Sequence, residues 1–213
     1  SPDVDEEDAI NYELGFRYNG GRNSAEAIYF LSDYDNLLGE CTASSGSDCT
    51  IGDAFNGDAA TVQGIELLFT TDMSRTGNYN IPVTFTYTYI DSEFDSDVAD
   101  TDFFGDVSKG DPIPYIPEHQ FNLSVGFLKD QWSSYINVSF VDEVCVRASC
   151  NAFEKTDDSL TVDLSTHYAL SEKIDLYGKI ENITGEEDIL GRQPYGARPN
   201  KYRTATLGVR IDF

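Results

Sequence analysis

The segment Ile81–Asp91 reads IPVTFTYTYID, and its strict alternation decides the class of fold. Val83, Phe85, Tyr87 and Tyr89 fall on one face of an extended chain, and Thr84, Thr86 and Thr88 fall on the other, because successive strand side chains point to opposite sides. Working toward the C-terminus, the pattern returns with Phe121, Leu123, Val125 and Phe127 against Asn122, Ser124 and Gly126. It returns again with Ile136, Val138 and Phe140 against Tyr135, Asn137 and Ser139, and with Leu160, Val162, Leu164 and Tyr168 against Thr161, Asp163, Ser165 and His167. Ile174, Leu176 and Ile180 then oppose Asp175, Lys179 and Glu181, and Ala205, Leu207, Val209, Ile211 and Phe213 oppose Thr204, Thr206, Gly208, Arg210 and Asp212. Toward the N-terminus, Ile10, Tyr12, Leu14 and Phe16 face away from Asn11, Glu13 and Arg17, and Ile65, Leu67 and Phe69 away from Gly64 and Glu66. The stretch from Ser24 to Tyr34 reads as a strand by its neighbours, although both its faces are partly apolar. The expectation is an all-β chain of about nine antiparallel strands, most near the roughly ten residues that a tilted membrane-crossing strand needs.

The connections alternate between short and long. Short ones fall near Gly20, at Thr76–Asn78, at Lys129–Gln131 and at Ser171–Lys173; long ones run from about Asp35 to Ala60, Ser92 to Ile116, Glu143 to Asp158 and Thr184 to Tyr202. Transmembrane β-barrels have this rhythm, with short turns on the periplasmic side and long loops outside. A soluble β-sandwich is the alternative, but it is not expected to keep so regular a beat. Single-chain bacterial barrels close with an even strand count, and an open edge is untenable in lipid. An odd set is therefore expected to pair with further strands, from a longer parent chain or from another subunit.

Composition agrees. The chain is 13% aromatic but only 40% hydrophobic, with a mean hydropathy of -0.37. A membrane-spanning helix, which needs about 18 consecutive apolar residues, is excluded. A barrel strand escapes that limit because every second residue faces the lumen. The formal net charge of -24 repels nucleic acid, which is excluded as a partner. The opening SPDVDEEDAI has neither the basic start nor the apolar core of a signal peptide, so a mature, trimmed or partial chain is expected.

Four cysteines form two close pairs, Cys41 with Cys49 and Cys145 with Cys150, in polar loop sequence. Three connectivities are open; local pairing is the simplest and implies an oxidising compartment. Zinc is disfavoured there, since neither a CxxC spacing nor a neighbouring His accompanies them. Asp163, Ser165 and His167 share the polar face of one strand but lie about 6.6 to 6.8 Å apart along it, too far for a nucleophile–base hydrogen bond, so no catalytic site is expected. The segment DSEFDSDVADTDFFGD gathers Asp95, Asp97, Asp100 and Asp102, a candidate calcium site in hard oxygen ligands without the spacing of an EF-hand. The competing reading is a solvated acidic loop.

Several stretches resemble one family. The ending RPNKYRTATLGVRIDF, closing on Phe213, is similar to the last strand of TonB-dependent outer-membrane receptors, and KIENITGEEDIL to their penultimate strand and following loop. NYELGFRY, VQGIELLF and PYIPEHQFNLSVGF resemble earlier strands of the same family, in the same order, and the overall spacing is most like the ferric-citrate receptor branch. One departure is that Pro199 and Arg203 are separated by Asn200, Lys201 and Tyr202, where the family often places Pro next to Arg. The resemblance implies that residues 1–213 are the C-terminal part of a barrel of about 22 strands. It further implies a plug domain outside this stretch that engages the TonB–ExbB–ExbD complex, an outer-membrane location in a Gram-negative cell with the long loops extracellular, and a small-molecule metal chelate as cargo. Iron would enter only as part of that ligand. A passive porin-like channel and a surface-binding barrel without transport remain as alternatives.

For a carboxylate-bearing chelate the scarce loop cations matter, because guanidinium groups grip carboxylates in a bidentate fork. Arg192, Arg198 and Arg147 are the expected ligand-facing cations, with Tyr195 beside them for stacking. Charge balance with Glu186, Glu187 and Asp188 is the competing role for the arginines.

Overall fold

The computed structural model describes residues 5–40, 50, 52, 54–56, 59–74, 77–101, 105–192 and 196–212. Every regular element among them is a strand. In chain order these are β1 (Asp8–Gly20), β2 (Asn23–Asp35), β3 (Leu38–Glu40), β4 (Ala54–Asn56), β5 (Ala60–Asp72), β6 (Pro82–Phe94), β7 (Val98–Thr101) and β8 (Gly105–Val107). They continue with β9 (His119–Lys129), β10 (Trp132–Val141), β11 (Ser159–Ser171), β12 (Ile174–Glu181), β13 (Ile189–Gly191), β14 (Arg198–Pro199) and β15 (Thr204–Ile211).

Nine of them form one sheet in the order β1-β2-β5-β6-β9-β10-β11-β12-β15, and every pairing is antiparallel. It is a meander, each strand pairing with the next long strand in the chain. The remaining six make three two-stranded ribbons, β3–β4, β7–β8 and β13–β14, inside the long loops. The all-β antiparallel expectation and its count of nine wall strands are borne out; β1 and β15 keep one unpaired edge each within this stretch.

Register carries the alternation from strand to strand. Tyr12 pairs with Leu31, Leu67 with Tyr87, Tyr87 with Phe121, Phe121 with Phe140, and Phe140 with Leu160. Paired residues share a face, so the apolar positions of all nine strands merge into one continuous surface. That surface is bare: Leu14 is 76% exposed and Leu207 89%. An apolar face of this extent is unfavourable in water and is the natural outer face of a barrel in hydrocarbon. From Trp132 to Phe140 a strand rises about 27 Å, or about 21 Å of height at a tilt near 40°, close to the roughly 25 Å apolar band of such barrels. Phe127, Trp132 and Tyr168 lie toward the short-turn end of this face, and Tyr89, Phe121 and Phe140 toward the other. The opposite face is polar, with Arg17 bonded to Glu26, Ser24 to Thr70 and Asn122 to Ser139.

The two ends of the sheet differ as the sequence rhythm requires. Gly21–Arg22, Asp130–Gln131 and Glu172–Lys173 close hairpins at one end, where Gly21 (φ 60°) and Asp130 (φ 51°) take the left-handed turn conformation. The Met73–Ile81 turn is held by Asp72, whose carboxylate accepts from the Ser74 and Ile81 amides. The long loops leave the other end and pack into a small core of Ala60, Phe94, Val107 and Ala148, with Leu37 and Ile113 against it.

Candidate functional site at the long-loop end

At the long-loop end the loops are tied to one another. The Tyr115 amide donates to the Cys145 carbonyl at 2.9 Å, and Ser149 Oγ donates to the Asp111 carboxylate at 2.7 Å. Cys145 and Cys150 are disulfide-bonded, with Cα atoms 5.6 Å apart, so local pairing holds for this pair. Cys41 and Cys49 lie outside the described residues. The loop that follows β12 is organised by Asn182, which is 3% exposed and left-handed at φ 50°. Its amide nitrogen Nδ2 donates to the Glu186 and Lys201 carbonyls, and its Oδ1 accepts from Thr184 Oγ1 and the Gly185 amide. Asn is the residue besides glycine that tolerates this backbone, and here its side chain also satisfies three backbone groups.

Beneath these loops is a cavity of about 310 Å³. Ser139, Val141, Ser159 and Thr161 form its floor at the ends of β10 and β11, Val144, Thr156 and Leu190 line it from the loops, and Tyr115 stands at its edge. Ser139 pairs with Thr161 and Val141 with Ser159, which places the floor on the polar, lumen-type face of the sheet. Its size reaches the lower end of the range for small-molecule sites. A second hollow, of about 280 Å³, is lined by Glu13 and Arg17 of β1 and by Glu26 and Ile28 of β2, away from the long loops.

Tyr115 has a left-handed backbone, φ 64°, which an aromatic residue adopts only when its surroundings impose it. Burial pushes its phenol above the ordinary value of 10.0, and the guanidinium groups of Arg198 and Arg147 oppose that rise. The charges of two of the expected cations, carried on different loops, thus act on the same phenol. Arg192 Nε instead donates to the Lys155 carbonyl and ties the last loop to the disulfide loop. Arg198 pairs across the β13–β14 ribbon with Gly191, where a Cβ would come within 2.9 Å of its Nη2. Tyr195 lies outside the described residues. Lys155 and Lys201 are neutralised by Glu143 and Glu181, each at 2.6 Å.

Of the candidate calcium ligands, Asp95 accepts from Thr61 Oγ1 at 2.6 Å and Asp97 from the Lys109 amide at 2.7 Å. Asp100 contributes backbone to β7, and Asp102 lies outside the described residues. Asp163 accepts from the Asn182 amide, while Ser165 faces Lys179 and His167 stacks on Tyr177, so these three point to separate partners. Sequence reading missed Tyr115, the cavity floor and the role of Asn182. Asn182 entered the sequence analysis only within the stretch KIENITGEEDIL, without a role of its own.

Together these features define a barrel wall whose polar face carries a loop-covered cavity at one end. The family model for the TonB-dependent receptor-like β-barrel matches residues 1–183, and the chain belongs to that family. Among solved structures, the ferric-catecholate import receptor Fiu from E. coli K12 superposes with a TM-score of 0.71 at 20% identity, over 100% of this chain and 29% of that one. The ferric yersiniabactin uptake receptor FyuA from Yersinia pestis gives 0.73 at 20% identity, over 97% and 30%. The ferric citrate transporter FecA gives 0.72 at 18% identity, over 96% and 31%. Identities this low speak for the fold, and the chain spans about three tenths of the length of these receptors. No curated protein matches the sequence. The expected resemblance to TonB-dependent receptors, a family of outer-membrane proteins, is borne out.

Proposed function

We propose that the intact protein is an outer-membrane receptor that takes up an anionic iron chelate, with residues 1–213 as the C-terminal part of its barrel and a plug domain elsewhere in the parent chain. The observation that carries this reading is the cavity on the lumen-type face at the long-loop end, with Tyr115 in its lining and the positive charges of Arg147 and Arg198 acting on that phenol. Guanidinium groups grip carboxylate or catecholate oxygens, and the phenol adds a stacking surface and a hydrogen bond. In this account the long loops are extracellular, ligand binds there and on the plug, and TonB–ExbB–ExbD drives release inward. Iron is cargo within the ligand, and calcium on the Asp95–Asp102 stretch is a separate binding event for metal titration to decide.

Uptake of radiolabelled ferric citrate and of ferric catecholates by cells carrying the intact receptor tests the reading. Accumulation that stops when TonB is deleted or the proton-motive force is collapsed supports it. Uptake indifferent to both identifies a passive channel, and binding at the cell surface without accumulation identifies a binding barrel.

A further inference from the structure

At one side of the cavity, whose lining includes Asp142, a group of side chains combines an imidazole with two carboxylates. Glu118, His119 and Asp142 each bring one ligand atom to within 4.8 Å of the others, and His119 Nε2 is 3.7 Å from Glu118 Oε1. All three stand at the long-loop end of the sheet: Glu118 ends the loop that follows β6, His119 opens β9, and Asp142 follows β10. Their backbone is fixed. The Ile90 amide donates to the Glu118 carbonyl and the Asp142 amide to the His119 carbonyl, each at 2.9 Å.

The imidazole is also set. Its Nδ1 lies 2.9 Å from the Tyr87 hydroxyl, and its ring packs on Tyr87 and Tyr89 with centroids 6.1 and 5.2 Å away. With Nδ1–H donated to that oxygen, Nε2, on the side of the Glu118 carboxylate, keeps its lone pair. A hydrogen bond to the second ring nitrogen is the arrangement that orients metal-binding histidines.

We propose that Glu118, His119 and Asp142 bind a first-row divalent metal ion of the zinc class. Three protein ligands leave a coordination position for water, and the imidazole favours such ions over calcium and magnesium, which take oxygen alone. Glu118 belongs to one long loop and Asp142 to the next, so the ion would clip together the roots of the two loops that carry Tyr115 and Arg147. The site does not depend on the uptake reading and would exist in a passive barrel as well.

The test is titration of the purified intact receptor with Zn²⁺ alone, in detergent and without any chelate, followed calorimetrically. The wild-type protein should take up one more equivalent of zinc than His119→Gln. Asp142→Asn should lose the same equivalent, and Tyr87→Phe should keep it with affinity lowered about 10- to 100-fold. Heat-modifiable migration on gels, the mark of a folded barrel, selects the variants compared. Equal zinc stoichiometry in wild type, His119→Gln and Asp142→Asn would overturn the proposal and assign any bound zinc to other groups, the acidic loops included.

Discussion

Replacing Asn182 by alanine should undock the loop between β12 and β15 while leaving the wall intact. The side chain makes four hydrogen bonds, to the Glu186 and Lys201 carbonyls, Thr184 Oγ1 and the Gly185 amide. At about 1 kcal/mol net for each, their loss is worth about 4 kcal/mol. Alanine at φ 50° adds about 1 kcal/mol of left-handed backbone cost, for a total near 5 kcal/mol. That is more than a thousandfold in the equilibrium for loop opening. Asn182→Gly loses the same bonds without the backbone cost and should be milder by about 1 kcal/mol. Amide hydrogen exchange in the intact, membrane-reconstituted receptor reads this directly. The amides of Ile183, Gly185 and Asn200, bonded to Val162, Asn182 and Asp188, should exchange far faster. Those of β9 and β10 should not change. Unaltered protection of the three loop amides in both variants would refute the role given to Asn182, and equal exchange in Ala and Gly variants would refute the backbone part.

Gly64→Ala should destabilise the folded barrel by about 1 to 3 kcal/mol, because the new Cβ would sit 2.2 Å from the Tyr89 carbonyl oxygen. Gly15→Ala, whose nearest neighbour is 3.7 Å away, should be tolerated, and urea unfolding midpoints in detergent compare the two. Reducing the Cys145–Cys150 disulfide should free the loop around it by about 2 kcal/mol, given its separation of 5 residues, and limited proteolysis with and without reductant should cut faster within 142–158. Arg198→Ala and Arg147→Ala should each weaken binding of the anionic chelate about 10- to 100-fold if each gives one charge-assisted hydrogen bond, measured by equilibrium binding to whole cells. Lys155→Ala, whose ammonium is engaged by Glu143, should change it little.

The wall was legible in the sequence because its two faces meet different solvents, so each residue of Ile81–Asp91 records its side. The segment Ser24–Tyr34 resisted that reading. Ile28 and Phe30 sit on the polar face, and the Phe30 ring fills the space over Gly64 on the neighbouring strand, where a Cβ would be 2.7 Å from Phe30 Cζ. A ring-over-glycine contact becomes visible only when the partner strand and its register are known; Tyr135 over Gly126 and Tyr177 over Gly208 are of the same kind. The site was less legible. Arg147 and Arg198 stood out because loop cations are scarce in so acidic a chain, yet nothing local joins them to Tyr115. Their shared influence on that phenol depends on how segments tens of residues apart are placed, and alternation carries no information there.

The central claim is that one face of this sheet meets lipid and the other an aqueous lumen. Single cysteines placed in turn from Thr204 to Ile211 of the intact receptor, spin-labelled in bilayers, test it most directly through their collision rates with oxygen and with a water-soluble nickel chelate. The account predicts oxygen maxima at 205, 207, 209 and 211 and nickel maxima at 204, 206, 208 and 210. Equal accessibility along the strand, or the reverse phase, would contradict it.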